Sequence, residues 1–67
     1  MTSVVRFAVT GGSFGVDQLA TRLKTMESAA VIGPWHVGTW VDDTHQSIRI
    51  GFDSYGDGQT AKHACAT

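Results

Sequence analysis

The sequence predicts a single small α+β domain of two layers, ordered β-α-β-β-(α), with a three-stranded sheet of order 1-3-2 packed on one main helix. Three observations carry that expectation. Residues 3–10 alternate with a period of two, residues 16–30 carry an apolar stripe at helical spacing, and two short alternations flank a polar run at 43–46. The 67 residues leave room for one domain only, and no repeat, low-complexity tract or linker divides them.

In the first segment Val5, Phe7 and Val9 alternate with Val4, Arg6 and Ala8, a β-branched pattern that predicts a strand buried on one face. Gly11, Gly12 and Gly15 end it. The helix is expected over 16–30, where Val16, Leu19, Ala20, Leu23, Met26 and Ala30 form the stripe. Asp17 is placed in its first turn, where a carboxylate suits the dipole, and Gly33-Pro34 is taken as its stop. Glu27, at the stripe's edge, reads as a carboxylate reaching out to solvent. Two more strands are expected over 35–42 and 47–53, joined by the hairpin loop Asp43-Thr44-His45-Gln46. Residues 54–58 read as a turn. Asp57 is then placed to cap a terminal helix over 58–66, with Ala61, Ala64 and Cys65 facing inward.

A right-handed crossover predicts that the first strand pairs in parallel with the third, as in a ferredoxin-like sheet truncated before its last strand. The first strand is then an edge guarded by one charge, Arg6. The expected core is Val5, Phe7, Val9, Leu19, Leu23, Met26, Trp35, Val37, Val41, Ile48, Ile50 and Phe52.

A domain this small buries only about 60% of its unfolded surface, so a partner or a second copy is the natural source of extra support. Cys65 is the only cysteine, which excludes an internal disulfide and fits a reducing, cytoplasmic setting. The net charge of −1, with 16% charged residues, offers no basic field for nucleic acid. No segment has the length of a membrane span, the N-terminus lacks a signal-peptide layout, and Met1 is read as the start of a stand-alone frame.

Catalytic and cofactor signatures are sparse. The turn Thr10-Gly11-Gly12-Ser13-Phe14-Gly15 lies between a strand and a helix, where backbone amides can meet phosphate. Its Thr-Gly-Gly start is similar to the dinucleotide turn of extended short-chain dehydrogenases. Gly-Gly-Ser-Phe is similar to the opening of adenylyl-transferase nucleotide sites. The glycine spacing departs from the first pattern. Gly15, Val16, Asp17 and Gln18 replace the Pro and His of the second, and both families need well over twice this length. A flexible turn into a helix is the simpler reading. The run 53–58 resembles half a calcium loop, with Asp53, Asp57 and Gly58 in place, but Tyr55 and Ala64 stand where oxygen ligands belong. His36, His45, His63 and Cys65 are scattered, so no metal or cofactor is expected.

One surface stands above that background. Trp35, Val37 and Val41 share a strand face, so parity sends Trp40 to the other side with His36 and Gly38. Arg6 and Ala8, with Arg49 and Gly51, join them on the outward sheet face. Trp40, Arg6, Arg49 and His36 are therefore the expected partner-binding residues, of types that dominate protein interfaces. The expected function is a non-enzymatic protein–protein interaction module, an inhibitor or regulator of a larger complex. Small frames of this kind include anti-defence proteins of phages and mobile elements. A homodimer through the first-strand edge fits the same pattern. The alternatives are a small-ligand or nucleotide-binding enzyme subunit using the glycine turn, and an RNA-binding sheet platform, for which Arg6, Ala8, Arg49 and Gly51 stand where stacking aromatics are wanted.

Overall fold

A computed structural model describes residues 3–65. It contains β1 (Ser3–Ala8), α1 (Ser13–Ser28), β2 (Trp35–Trp40), β3 (Ser47–Phe52) and α2 (Tyr55–Cys65). The sheet order is β1-β3-β2, as the sequence predicts, but β3 runs antiparallel to both neighbours. The expected parallel pairing of β1 with β3 is therefore corrected. A crossover through α1 leaves β2 parallel to β1, and the hairpin then reverses β3 between them, so the handedness rule applies to β1 and β2 rather than to the hydrogen-bonded pair.

Both helices differ from expectation at their ends. α1 begins three residues early, at Ser13, because Gly11 (φ 88°) and Gly12 (φ 58°) turn the chain through the left-handed region. Asp17 consequently lies beyond the first turn. The stop is not Gly33-Pro34. Ala30 takes φ 60°, its N–H donates to the Glu27 carbonyl at 3.0 Å, and the Val31 N–H donates to the Met26 carbonyl at 2.9 Å. That pair of bonds is a Schellman closure with Ala in the place usually held by Gly. α2 starts at Tyr55, and Ser54 rather than Asp57 caps it: the Asp57 N–H donates to Ser54 Oγ at 3.1 Å. Asp57 instead accepts the Gly33 N–H on Oδ2 at 3.0 Å, tying the start of α2 to the loop before β2. The expected end of this helix at Ala66 lies outside the described residues.

The core is built from alternate strand residues under the helices. Val5, Phe7, Leu23, Ile32, Ile48, Ile50, Phe52 and Ala61 are buried, and Val9, Val16, Leu19, Met26, Trp35, Trp40 and Cys65 pack partly against them. Phe7 and Phe52 meet at 6.3 Å and 51°, a tilted aromatic pair. Gly58 lets α2 approach the sheet, since a Cβ there would lie 3.0 Å from Val5 Cγ2.

Two expected core positions, Val37 and Val41, and the inward placing of Ala64 are corrected. Val37 is 41% exposed, because β2 is an edge strand and a groove lined by Ser13, Val16 and Asp17 opens beside it. Val41 falls just beyond β2 and stays outside the core cluster, and Ala64 is exposed on α2. Ile32 takes up core volume that the pattern assigned to none of the loop residues.

Candidate docking surface beside the first strand

The bulge in β2 decides which side chains share a face. Val37 pairs with Ile50 and Trp40 with Ile48, so three steps on β2 match two on β3. The extra residue reverses the alternation. Trp40 therefore turns to the helix side, partly buried, with its ring stacked on His45 at 4.7 Å and 28°. The expectation that Trp40 faces outward is corrected by this one-residue irregularity.

The remaining expected surface residues do lie on the outward face. Arg6 and Arg49 sit directly opposite each other in the β1–β3 register, and His36 is placed opposite Gly51 on β2. All three are exposed, as is Val4 at 60%. Two like charges directly opposite on adjacent strands repel. Arg49 is held away from Arg6 by donating through Nη1 to Thr39 Oγ1 and to the Trp40 carbonyl, each at 3.0 Å. Arg49 is thus engaged in holding the bulge, while Arg6 lies at the sheet edge.

Beside that edge is a cleft of about 410 Å³ between α1 and α2, lined along β1 by residues 6–10. Arg22 on α1 and Lys62 on α2 line it together with Arg6, and Leu19, Phe7, Val9 and Cys65 give it an apolar floor. Sequence reasoning missed Arg22 and Lys62. Arg22 lies one turn after Leu19 and Lys62 lies next to Ala61, and only the packing of α2 along β1 brings these two positions, 40 apart in the chain, to one opening. The pattern held no signal for that.

The glycine turn is a packing device in this fold. Phe14 N–H donates to the Gly11 carbonyl at 3.2 Å and Val16 N–H to the Gly12 carbonyl at 3.1 Å, so two of the amides at the start of α1 are already engaged. A Cβ on Gly15 would collide with the Thr10 carbonyl oxygen. Among the described residues no group of three or more His, Cys, Asp or Glu is placed to hold a metal. Among the described residues no helix is long and apolar enough to cross a membrane. Asp42, in the hairpin loop, accepts from Thr44 Oγ1 at 2.6 Å and from Thr44 N–H at 3.0 Å. These bonds, aided by the charges of His45 and Arg6, hold its carboxyl below its ordinary value against a slight desolvation.

The fold and the cleft define a small α+β domain with a three-stranded antiparallel sheet and two helices on one face. Compared with known proteins, the chain matches no family model, no curated sequence and no solved structure.

Proposed function

We propose that this chain is a non-enzymatic protein-interaction module, an inhibitor or regulator of a larger assembly, that docks through the open edge of β1. One observation carries the reading: β1 is an outer strand of six residues with a cleft running along it and an exposed Val4 and Arg6 beside it. Such an edge presents backbone donors and acceptors ready to pair with another chain, and proteins that keep one open generally use or guard it. In a ferredoxin-like sheet, the place beside β1 is where a fourth strand would lie. A partner supplying that strand would also supply the burial that a 67-residue core lacks.

The experiment is affinity capture from a native extract with wild type and with Ala8→Pro. Ala8 lies on the edge side of the strand, so proline there removes a docking donor without breaking the internal ladder. A partner that binds wild type and is lost from a folded Ala8→Pro variant supports the reading. Undiminished capture by the variant excludes the β1 edge as the docking place.

A further inference from the structure

We infer that the strand β1 accepts is acidic: an extended segment of the partner protein whose Asp or Glu side chains enter the cleft between α1 and α2. This deepens the edge-docking proposal and rests on it.

The geometry begins with one bond. Val9 N–H donates to the Gln46 carbonyl at 2.8 Å, continuing the β1–β3 register by one pair. In a strand the N–H and C=O of one residue point to the same side and those of the next to the other. Residues 5, 7 and 9 therefore spend their backbone groups on β3, and the N–H and C=O groups of Val4, Arg6 and Ala8 face away from the sheet. Arg6 and Ala8 also line the cleft, so the edge of β1 opens into it.

Charge then selects the occupant. The chain has five Lys and Arg against six Asp and Glu, yet three of the cations and none of the acids line this cleft. Arg22 lines it from α1 and Lys62 from α2, and Arg6 borders it at the strand edge with its side chain on the outward face. An added strand would place alternate side chains on the helix side, roughly 7 Å apart, where their carboxylates can meet Arg22 and Lys62 while their own aliphatic stems rest on Leu19 and Cys65. Pairing β1 with β1 of a second copy is disfavoured by the same charges, because two sets of three cations would meet along one seam.

The test uses purified, isotope-labelled protein and defined six-residue peptides, matching the length of β1. The probes are an alternating Glu/Thr peptide, its Lys/Thr counterpart, a Glu/Thr peptide interrupted by a central Pro, and a thymidine oligonucleotide. The Glu/Thr peptide is expected to shift the amide resonances of Arg6 and Ala8 and to bind roughly tenfold tighter than the Lys/Thr peptide. The Pro-interrupted peptide is expected to lose most of that binding. The double variant Arg22→Glu, Lys62→Glu is expected to reverse the charge preference. Absence of Glu/Thr binding at millimolar concentration overturns the inference. So does equal binding of the Pro-interrupted peptide or the oligonucleotide, which would show attraction to any polyanion. A dimer in sedimentation that involves the β1 amides assigns the edge to a second copy instead. If a captured partner is lost on Ala8→Pro yet indifferent to the charge reversal, the docking reading stands and the acidic strand falls.

Discussion

Arg49 donates through one nitrogen, Nη1, to the carbonyl oxygen of Trp40 on the neighbouring strand at 3.0 Å. The same nitrogen holds Thr39 Oγ1 at 3.0 Å. A bulge leaves backbone groups out of the ladder, and an unmatched carbonyl near a sheet is costly unless something donates to it. Arg49 supplies that donor from the face opposite Trp40's ring. The side chain that the sequence offers as a surface anchor is thus part of what fixes the other Trp inside.

Replacing Trp40 by Ala is therefore expected to cost stability, about 2 kcal/mol, discounted from a fully buried Trp because the ring is only partly covered. A denaturant melt gives the value. A Trp40→Ala variant with unchanged stability would return the ring to the outward face and undo the bulge assignment.

Arg49→Met keeps the stem and removes the donor. The exposed setting limits the loss to about 1 kcal/mol. The indole resonance of Trp40 should shift in the same variant, because the backbone carrying it loses its tether. A silent Trp40 signal in Arg49→Met would mean that the bulge holds without this contact.

The contrast between the two strand faces shows what could be read in advance. Element order, sheet order and most of the core follow from local patterns: β1 and β3 alternate cleanly, and Leu23 and Ile50 are among the most buried side chains, as their periodicity implies. Strand direction follows from the hairpin, which sets β3 antiparallel to β2, while the crossover rule governs β1 and β2 and not the hydrogen-bonded pair β1–β3. The bulge was not legible, since Gly38-Thr39 in a strand reads equally as continuous pairing, and one inserted residue inverts every later side chain. Of the expected surface set, Arg6, Arg49 and His36 lie outward while Trp40 does not. The cleft cations Arg22 and Lys62 depend on helix packing that no local pattern encodes.

The end of α1 offers a stabilising change. Ala30 holds a left-handed conformation at φ 60° to close the Schellman bonds, a geometry that costs a residue with a Cβ about 1 kcal/mol and glycine almost nothing. Ala30→Gly is expected to raise stability by up to ~1 kcal/mol, with part of the gain offset by the looser unfolded chain. A clear loss of stability on thermal or chemical denaturation would show that α1 continues past Ala29 toward Gly33.

The hairpin loop carries a titration signature. Thr44 donates its hydroxyl and its N–H to Asp42, and the charges of His45 and Arg6 act in the same direction, lowering the carboxyl's pKa. A carboxyl depressed in the folded state contributes stability that is fully present above its unfolded pKa and is lost as pH falls through its folded pKa. In Thr44→Val the hydroxyl bond disappears, and the Asp42 midpoint followed by carboxyl-detected NMR should rise toward the ordinary carboxylate value. Thr44→Ser should keep it low. Equal midpoints in wild type and Thr44→Val would leave the hydrogen bond without the role given to it.

Gly15 tests the rival reading of the glycine turn most directly. A Cβ at this position would run into the Thr10 carbonyl oxygen and lie 3.0 Å from Thr10 N, and both obstacles are backbone that cannot rotate aside. Gly15 has no positive φ, so its requirement for glycine is one of space between α1 and the end of β1. Gly15→Ala must push the helix outward, with an expected cost of about 2–3 kcal/mol typical of overpacking. Gly12→Ala differs in kind. It meets nothing within 4 Å but keeps φ at 58°, so its cost is the milder left-handed strain of about 1 kcal/mol. Paired denaturant melts of the two variants should therefore rank Gly15→Ala as the more damaging, with no change on adding ATP or NAD to the wild type. If Gly15→Ala keeps wild-type stability while nucleotide raises the melting temperature of the native protein, the turn is a ligand site and the packing role assigned to it is wrong.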